Sequence, residues 1–325
     1  MSVVICARNE EENLKRFLPS VLTQNYPNYE VIVVNDASED DSHWVLEDFS
    51  KIYPHLKIST IKKDEKFNHG KKLALTIGIK AASNEYLLFT DADCECVSSN
   101  WIRQMMSTYS EKTDIVLGYG GYFKTKGFLN KFIRFDTLFI AMQYMGFAKA
   151  HIPYMGVGRN LSYKKSLFFK NKGFANHAML FSGDDDLFVN EHATSQNVAV
   201  NTLAHTRSSA KTDYFSWIIQ KKRHQSTFKL YKNKHKILLS LEPLSRWLFY
   251  LLIPVLLILD IRTLPIIVSI FILRLIFLII AYYFSSKTLK EQDLLLFSPL
   301  FDMLYLINDL IIKLTKNPHQ QRTWK

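Results

Sequence analysis

Cysteine is scarce in this chain of 325 residues, and its three cysteines do not suggest a disulfide framework. Cys6, Cys94 and Cys96 are odd in number and lack the regular spacing of a secreted, disulfide-bonded domain. Cys94 and Cys96 form a single C-x-C pair, and no second pair exists in the sequence to complete a zinc site. The composition therefore predicts a protein of a reducing compartment whose cysteines are small buried side chains.

The sequence also lacks a secretory signal peptide, an internal repeat and a low-complexity tract. Its formal net charge of +11 suits nucleic acid, an anionic membrane surface or a phosphate-bearing substrate. No helix-turn-helix, zinc-finger or RNA-binding signature accompanies that charge, so we expect no nucleic-acid partner. The first residues already have the pattern of a strand, which leaves room for a membrane segment upstream of this chain.

Basic residues are concentrated immediately before the first long hydrophobic run. They are Lys221, Lys222, Arg223, His224, Lys229, Lys232, Lys234 and Lys236. This position suits the positive-inside rule and contact with anionic headgroups better than it suits recognition of a duplex. Membrane lipid is therefore the expected partner of this stretch, which has the pattern of a basic amphipathic helix over 214–236.

The first hundred residues alternate between short apolar runs and amphipathic helical patterns. Strands are expected at 3–6, 31–34, 56–61 and 86–89, and helices at about 11–22, 42–52 and 71–82. This alternation predicts an α/β fold with a mostly parallel sheet, in which ligands bind beyond the carboxyl ends of the strands. A less regular middle, about 114–210, contains glycines that indicate turns or close backbone approach.

Two hydrophobic segments follow, at 244–259 and 264–283, and the short turn between them suggests a membrane hairpin. We therefore expect a catalytic domain over 1–236 and a C-terminal membrane region over 237–325. Within the catalytic domain we expect a nucleotide-sugar half at 1–118 and an acceptor half at 119–236.

A third hydrophobic segment, 294–314, contains Asp302, Asn308 and Asp309. Because these polar side chains are costly inside a bilayer, the segment spans poorly, lies in the interface or re-enters the membrane. The tail after it is basic and prefers the cytoplasmic side, which favours a third segment that does not cross. The basic residues of that tail are Lys316, Arg322 and Lys325.

Carboxylates follow two of the predicted strands. Asp36 ends the second strand, where it either contacts a ligand or serves as the N-cap of the next helix. Asp91 and Asp93 follow the fourth strand, and residues i and i+2 of an extended chain point to the same side. Two carboxylates directed at one point suit a hard cation such as Mg²⁺ or Mn²⁺, which would bridge the protein and a substrate diphosphate.

Six short motifs occur in the order found in family 2 glycosyltransferases. They are Ala7-Arg8-Asn9-Glu10-Glu11, the strand-end Asp36, Gly70-Lys71-Lys72, Asp91-Ala92-Asp93, Gly183-Asp184-Asp185 and Gln220-Lys221-Lys222-Arg223. Over about 2–224 the sequence resembles the membrane-bound branch of that family, which includes cellulose, chitin and hyaluronan synthases. The resemblance implies a GT-A fold, a nucleotide-sugar donor that is commonly UDP-linked, a divalent metal and inversion at the anomeric carbon.

The resemblance also implies roles for particular residues. The implied donor-binding residues are Arg8, Asn9, Glu10, Asp36, Lys71, Lys72 and Asp91. Asp93 is the implied direct metal ligand, with Asp91 beside it. Asn160, Gln220 and Arg223 would line the acceptor or diphosphate side of the site, although Asn160 has an equally simple alternative role as a turn residue.

The segment 183–186 resembles the part of the family that carries the catalytic base. Three consecutive carboxylates repel one another, so stability alone is a poor reason for their presence and a catalytic role is expected. The alternative is that they form an acidic helix N-terminus, which the helix dipole favours. The family usually has an apolar residue three places after the base. If Phe188 is that residue, the base is Asp185, and if Leu187 is that residue, the base is Asp184. Both residues therefore remain candidates for the base, with Asp185 preferred.

His224 stands where the processive synthases have a tryptophan of the acceptor platform, which weakens the resemblance to processive synthesis and leaves donor binding intact. We expect an inverting, metal-dependent glycosyltransferase that acts on a lipid-linked or growing glycan acceptor. It would be a multi-pass protein of the inner or plasma membrane with a cytoplasmic catalytic domain. The alternatives are a polyprenyl-phosphate glycosyltransferase, which would not be expected to have Q-x-x-R, and a non-catalytic nucleotide-sugar-binding membrane protein, which would need no base.

Overall fold

The computed structural model describes residues 1–63, 70–178, 180 and 182–315. The described chain separates into two compact units. The first contains residues 1–124 and 140–211, and the second contains residues 125–139 and 212–315. The basic tail at Lys316, Arg322 and Lys325 lies outside the described residues.

A single mixed sheet organises the first unit. Its eight strands in the described part of the chain are β1 (Ser2–Ala7), β2 (Glu30–Asp36), β3 (Leu56–Ile61), β4 (Tyr86–Phe89), β5 (Cys94–Cys96), β6 (Ile115–Tyr122), β7 (Leu161–Lys164) and β8 (Val198–Ser208). They lie in the order β3-β2-β1-β4-β7-β6-β8-β5. The first four strands of that order are parallel, whereas β7 is antiparallel to both of its neighbours.

Helices cover this sheet. In chain order they are α1 (Glu11–Leu22), α2 (Ser42–Ile52), α3 (Lys71–Ala81), α4 (Trp101–Met106), α5 (Phe128–Lys149), α6 (Lys165–Lys170) and α7 (Asp186–His192), with residues 128–139 of α5 belonging to the second unit. Strands β1 and β2 are buried along their whole length, as in a parallel sheet covered on both faces. The predicted α/β architecture is confirmed.

The middle of the chain is more regular than its sequence suggests. Strand β6 contains Gly118, Gly120 and Gly121, for which the sequence predicts either turns or close backbone approach. A Cβ atom at Gly118 would lie 2.4 Å from the side chain of Asn160, and one at Gly120 would lie 2.9 Å from Cβ of Arg159. These glycines therefore let neighbouring side chains cross the strand, and they do not mark its end.

Four helices account for most of the second unit after residue 211. They are α8 (Tyr214–Gln225), α9 (Asn233–Leu259), α10 (Leu264–Thr288) and α11 (Ser298–Leu314). The single basic helix expected over 214–236 is interrupted by a 3-10 turn, Ser226–Leu230. The hydroxyls of Ser226 and Thr227 bond the carbonyls three residues earlier, and such bonds compete with regular helix.

Three segments of this unit are long and apolar enough to cross a membrane, judged by length and composition: Asn233–Leu259, Ile261–Thr288 and Gln292–Leu314. The polar residues of α11 have partners within the unit. The carboxylate of Asp302 accepts from Nη2 of Arg274 at 2.8 Å and lies 3.5 Å from Nε of Arg246. The amide oxygen of Asn308 accepts from the hydroxyl of Tyr214 at 2.8 Å.

Lys221 is buried, unlike the surface lysine that the basic stretch suggests. Its Nζ lies 2.9 Å from the carboxylate of Asp136, which also accepts from the hydroxyl of Tyr305 at 3.0 Å. A buried ammonium needs such a partner because the loss of its hydration is otherwise uncompensated. Lys221 is therefore not available to bind lipid headgroups.

Candidate active site

Parallel strands bring the ends of β1, β2 and β4 to one edge of the sheet. Ala7 pairs with Asn35, and Val4 pairs with Phe89, so the residues that follow these strands emerge together. Arg8 follows β1, Asp36 ends β2 and Asp91 follows β4. This is the edge at which α/β sheets bind ligands.

Asp91 and Asp93 form a small cluster with Cys94 at this edge. Their carboxylate oxygens and the Cys94 sulfur all lie within 4.8 Å of one another. Burial and the neighbouring Asp91 carboxylate raise the pKa of Asp93, because both disfavour a second negative charge. A divalent cation would relieve that repulsion, so the two carboxylates fit Mg²⁺ or Mn²⁺.

Cys94 does not fit such a cation. Burial raises the pKa of its thiol well above the ordinary value, and the sulfur donates to Asp93 at 3.5 Å. A protonated thiol is a poor ligand, and Mg²⁺ and Mn²⁺ prefer oxygen. Asp91 and Asp93 would therefore hold the cation, and the remaining ligands would come from water and a substrate diphosphate.

Lys71 connects these carboxylates with the acidic segment before α7. Its Nζ lies 2.7 Å from Oδ1 of Asp91 and 3.4 Å from Oδ2 of Asp184. Burial alone would favour the neutral amine, but the charges of Asp184 and Asp91 outweigh it and raise the pKa of Lys71 well above the ordinary value. The site therefore contains a permanent ammonium between its donor-side and base-side carboxylates.

Lys72 has a different position. Its Nζ donates to the carbonyl of His177 at 2.7 Å and is buried. Burial lowers its pKa, although Asp184 and Asp186 oppose the shift. Lys72 thus fixes the segment that precedes the acidic run, whereas Lys71 lines the pocket.

Asp185 is bound by the backbone on both oxygens. Its Oδ2 accepts from the N–H of Gly158 at 2.6 Å, and its Oδ1 accepts from the N–H of Asp186 at 2.7 Å as the N-cap of α7. Burial and the charges of Asp184 and Asp186 raise the pKa of Asp185 to about 7. Asp185 therefore caps a helix and also has the proton affinity of a base poised near neutral pH.

A small pocket joins these groups. Lys71, Asp91, Asp184, Asp185 and Gly158 line it together with Cys6, Leu75, Phe89, Thr90, Leu161 and Tyr163. The buried hydroxyl of Thr90 has no hydrogen-bond partner within the described part of the chain. A ligand in this pocket would meet an ammonium, three carboxylates and one open hydroxyl.

The residues expected to hold the nucleoside lie on the same edge as the pocket. Asn9 has a positive φ of 52°, donates its N–H to the hydroxyl of Ser38 at 2.9 Å, and accepts from the N–H of Glu39 at 2.8 Å. The N–H of Glu10 donates to the hydroxyl of Ser42 at 3.0 Å. These bonds join the segment after β1 to the segment after β2, where Asp36 is buried.

Of the expected site residues, Lys71, Asp91, Asp184 and Asp185 line this pocket, and Asn160 does not. Asn160 is fully buried: its amide oxygen accepts from Nε1 of Trp101 at 3.0 Å, and its Nδ2 donates to the carbonyls of Tyr119 and Ala204. Gln220 and Arg223 lie on α8 of the second unit. The role of Asn160 in the first unit is thus to hold its turn against the core.

Arg159 is a functional candidate that sequence analysis missed. It lies in the 3-10 turn Gly158–Asn160, and its guanidinium is a source of positive charge for Asp93. A lone arginine between a glycine and an asparagine has no motif that reveals it. Only the packing of this turn across β6 places it near the carboxylates.

This mixed sheet has carboxylates at the ends of its strands and at the start of α7. The arrangement is that of an α/β transferase fold of the class that uses nucleotide sugars. Solved structures agree: the Pyrobaculum calidifontis mannosyltransferase in complex with GDP-Man and Mn²⁺ matches at 17% identity, with a TM-score of 0.59 over 95% of this chain and 87% of that one. TarS 1-349 of S. aureus in complex with UDP matches at 18% identity, with a TM-score of 0.51 over 96% and 90%. At these identities the likeness establishes the fold alone, and it confirms the GT-A architecture.

Residues 2–171 match the model of glycosyl transferase family 2, and the chain belongs to that family. An uncharacterized glycosyltransferase of Haemophilus influenzae is 35% identical over 122 residues, which are 38% of this chain and 36% of that protein. Poly-beta-1,6-N-acetyl-D-glucosamine synthase of Staphylococcus epidermidis is 38% identical over 93 residues, 29% of this chain and 21% of that protein. The matches span about a third or less of the length of these two relatives.

Proposed function

We propose that the chain transfers a sugar from a nucleotide-sugar donor to a lipid-linked or growing glycan acceptor, with inversion and with a divalent metal. The observation that carries the proposal is one pocket that contains Asp91, Lys71 and the acidic pair Asp184 and Asp185. The pocket thus combines groups for a diphosphate with a base for an acceptor hydroxyl.

The residues divide the work of a single displacement at the anomeric carbon. The carboxylate of Asp185 takes the proton of the acceptor hydroxyl as its oxygen bonds to that carbon. The bond from the carbon to the diphosphate breaks on the opposite side, which inverts the configuration. The ammonium of Lys71 offsets the repulsion between the carboxylates of Asp184 and Asp91. It also stabilises the negative charge of the departing nucleoside diphosphate.

A divalent metal held by Asp91 and Asp93 would neutralise part of the diphosphate charge. GDP-Man and UDP, which are bound in the two structural relatives, both contain such a diphosphate. The aliphatic surface of α9 and α10, together with the basic residues before α9, supports a location at the cytoplasmic face of a membrane.

A panel of UDP-, GDP- and other nucleotide sugars tests the proposal. The chain in detergent or lipid should hydrolyse or be thermally stabilised by one donor, and excess chelator should abolish the effect. Added Mn²⁺ should restore it. Absence of any response across the panel, with a folded protein, would reject a donor site in this pocket.

A further inference from the structure

Most of the hydrogen-bonding capacity of the Arg159 guanidinium is unused. Its Nη1 donates to the carbonyl of Gly121 at 3.3 Å and to the hydroxyl of Ser208 at 3.0 Å, and Cζ lies 4.3 Å from the ring centre of Tyr122. No carboxylate of the described residues forms a salt bridge with it. Guanidinium has five donors, so Nε and Nη2 remain open to a ligand.

The backbone of Arg159 is fixed before any ligand binds. Its carbonyl accepts from the hydroxyl of Thr206 at 2.8 Å. The next side chain, Asn160, is anchored in the core, and the N–H of the preceding Gly158 holds Asp185 at 2.6 Å. One short turn therefore positions the guanidinium relative to the base.

Contacts along the sheet place Arg159 beside the carboxylate pair. Gly158, directly before it, lines the pocket, and Ser208, which accepts from its Nη1, is the strand partner of Cys94, the residue after Asp93. The charges that act on Arg159 include those of Asp93 and Asp91, and it partly offsets the repulsion between these two carboxylates. Lys71 therefore bonds Asp91 directly, and Arg159 adds a second positive charge near Asp93.

We propose that Arg159 binds the diphosphate of the nucleotide sugar through its open Nε and Nη2 donors and stabilises the departing nucleoside diphosphate. This assignment rests on the proposed function, because it requires a nucleoside diphosphate in the pocket. The planar fork of arginine suits bidentate bonds to phosphate oxygens, and the fixed turn lowers the entropy lost on binding.

The test is titration of the detergent-solubilised full chain with UDP, GDP and the corresponding monophosphates in Mn²⁺. Arg159→Gln should weaken binding of the preferred diphosphate about tenfold or more, as expected for a lost charged hydrogen bond. Affinity for the monophosphate should fall less. Arg159→Lys keeps the charge without the fork and should show an intermediate loss.

Arg16→Gln is the matched control, because Arg16 also lies over an aromatic ring, 4.9 Å from the centre of Phe17. It should leave both affinities unchanged. Ser208→Ala removes one bond that orients Arg159 and should weaken diphosphate binding about twofold to threefold. If Arg159→Gln does not fold, the lysine and Ser208 variants decide, and wild-type diphosphate affinity in both would overturn the assignment.

Two failures can be told apart. Wild-type protein that binds neither diphosphate would reject the proposed function and this assignment with it. Wild-type protein that binds a diphosphate, with Arg159→Gln binding it equally well, would overturn the role of Arg159 alone.

Discussion

Asp185 differs from its acidic neighbour in how its charge is compensated. Asp184 lies 3.4 Å from the ammonium of Lys71, whereas Asp185 accepts hydrogen bonds from two backbone N–H groups. Because no cation among the described residues bonds Asp185, it is the better proton acceptor of the pair. We predict that Asp185→Asn lowers kcat by a factor of about a hundred or more, with donor affinity nearly unchanged. Steady-state kinetics together with donor titration measure both quantities.

Asp184→Asn is the matched comparison for that variant. It removes a partner of Lys71 and leaves Asp185 in place, so we expect a smaller loss of kcat. Near-normal turnover of Asp185→Asn alongside an inactive Asp184→Asn would assign the base one residue upstream.

The raised pKa of Asp185 gives a pH dependence of defined sign. A base works in its deprotonated form, so kcat should be level above pH about 7 and fall as the pH decreases through that value. Below about pH 6 the decrease should approach tenfold per pH unit. A pH–rate profile between pH 5 and 9 measures this limb, and a rate independent of pH over this range would contradict Asp185 as the titrating base.

Substitution of Asp93 tests whether a divalent metal takes part in donor binding and transfer. We predict that Asp93→Ala abolishes transfer and the Mn²⁺-dependent part of donor binding, because one of the two carboxylates that would hold the cation is removed. Titration of the variant with donor, with and without Mn²⁺, should give the same weak affinity. The thermal unfolding temperature should stay close to wild type. Full activity of wild-type protein in excess chelator would contradict the role.

The acidic residues of the site were easier to predict from the sequence than the basic ones. The carboxylates Asp91 and Asp93 follow a strand with a clear apolar pattern, so their position follows from the sheet alone. The choice between Lys71 and Lys72 depends on which face of α3 meets the pocket, and neighbouring lysines carry no signal for that. Arg159 becomes visible only when its turn is packed across β6.

At the scale of elements, the turn Gly158–Asn160 depends on one buried amide. Asn160→Ala leaves Nε1 of Trp101 and two carbonyls without their partner, and each such loss costs about 1–3 kcal/mol. We therefore predict a loss of at least about 2 kcal/mol in the free energy of unfolding of the first unit. Denaturant unfolding followed by tryptophan fluorescence measures it. Asn100→Ala, at the half-buried start of α4, where the side chain makes no capping bond, is the control and should cost much less.

The two halves of the sheet differed in how well their sequence predicted them. Strands β1 to β4 and helices α1 to α3 have regular apolar periods, and their predicted positions agree with the structure to within a few residues. Strand β6 was not predicted, because its glycines are required by side chains that are distant in sequence. The break between α8 and α9 depends on hydroxyl groups that bond to their own backbone, which an apolar pattern does not reveal.

The association of the three apolar helices should depend on Asp302. Its carboxylate is bonded to Arg274 of α10 and lies 3.5 Å from Arg246 of α9. Asp302→Ala would leave these guanidinium groups without their shared partner, and breaking a buried pair costs about 3–5 kcal/mol. We predict faster proteolysis of the 233–315 region in detergent. Asp309→Ala, which removes an i,i+4 pair with the exposed Lys313, is the control with little expected effect.

At the scale of the whole molecule, the side of the membrane on which each segment ends can be read with single cysteines. The three native cysteines are buried, so background labelling by a membrane-impermeant maleimide should be low. With a cytoplasmic catalytic domain, a cysteine at Arg262, between α9 and α10, should react in intact cells. A cysteine at Lys287, near the end of α10, should react only after permeabilisation. The reverse pattern would place the catalytic domain outside.

A cysteine at Thr315, directly after α11, decides whether the third segment crosses. Its hydropathy and length allow crossing, and its polar residues are bonded inside the second unit, so polarity alone does not prevent it. The basic residues that follow favour the cytoplasmic side, because positive charge is retained there. We therefore predict that the Thr315 cysteine, like that at Lys287, reacts only after permeabilisation. Labelling in intact cells would instead establish a third crossing and place the basic tail outside, against the charge rule.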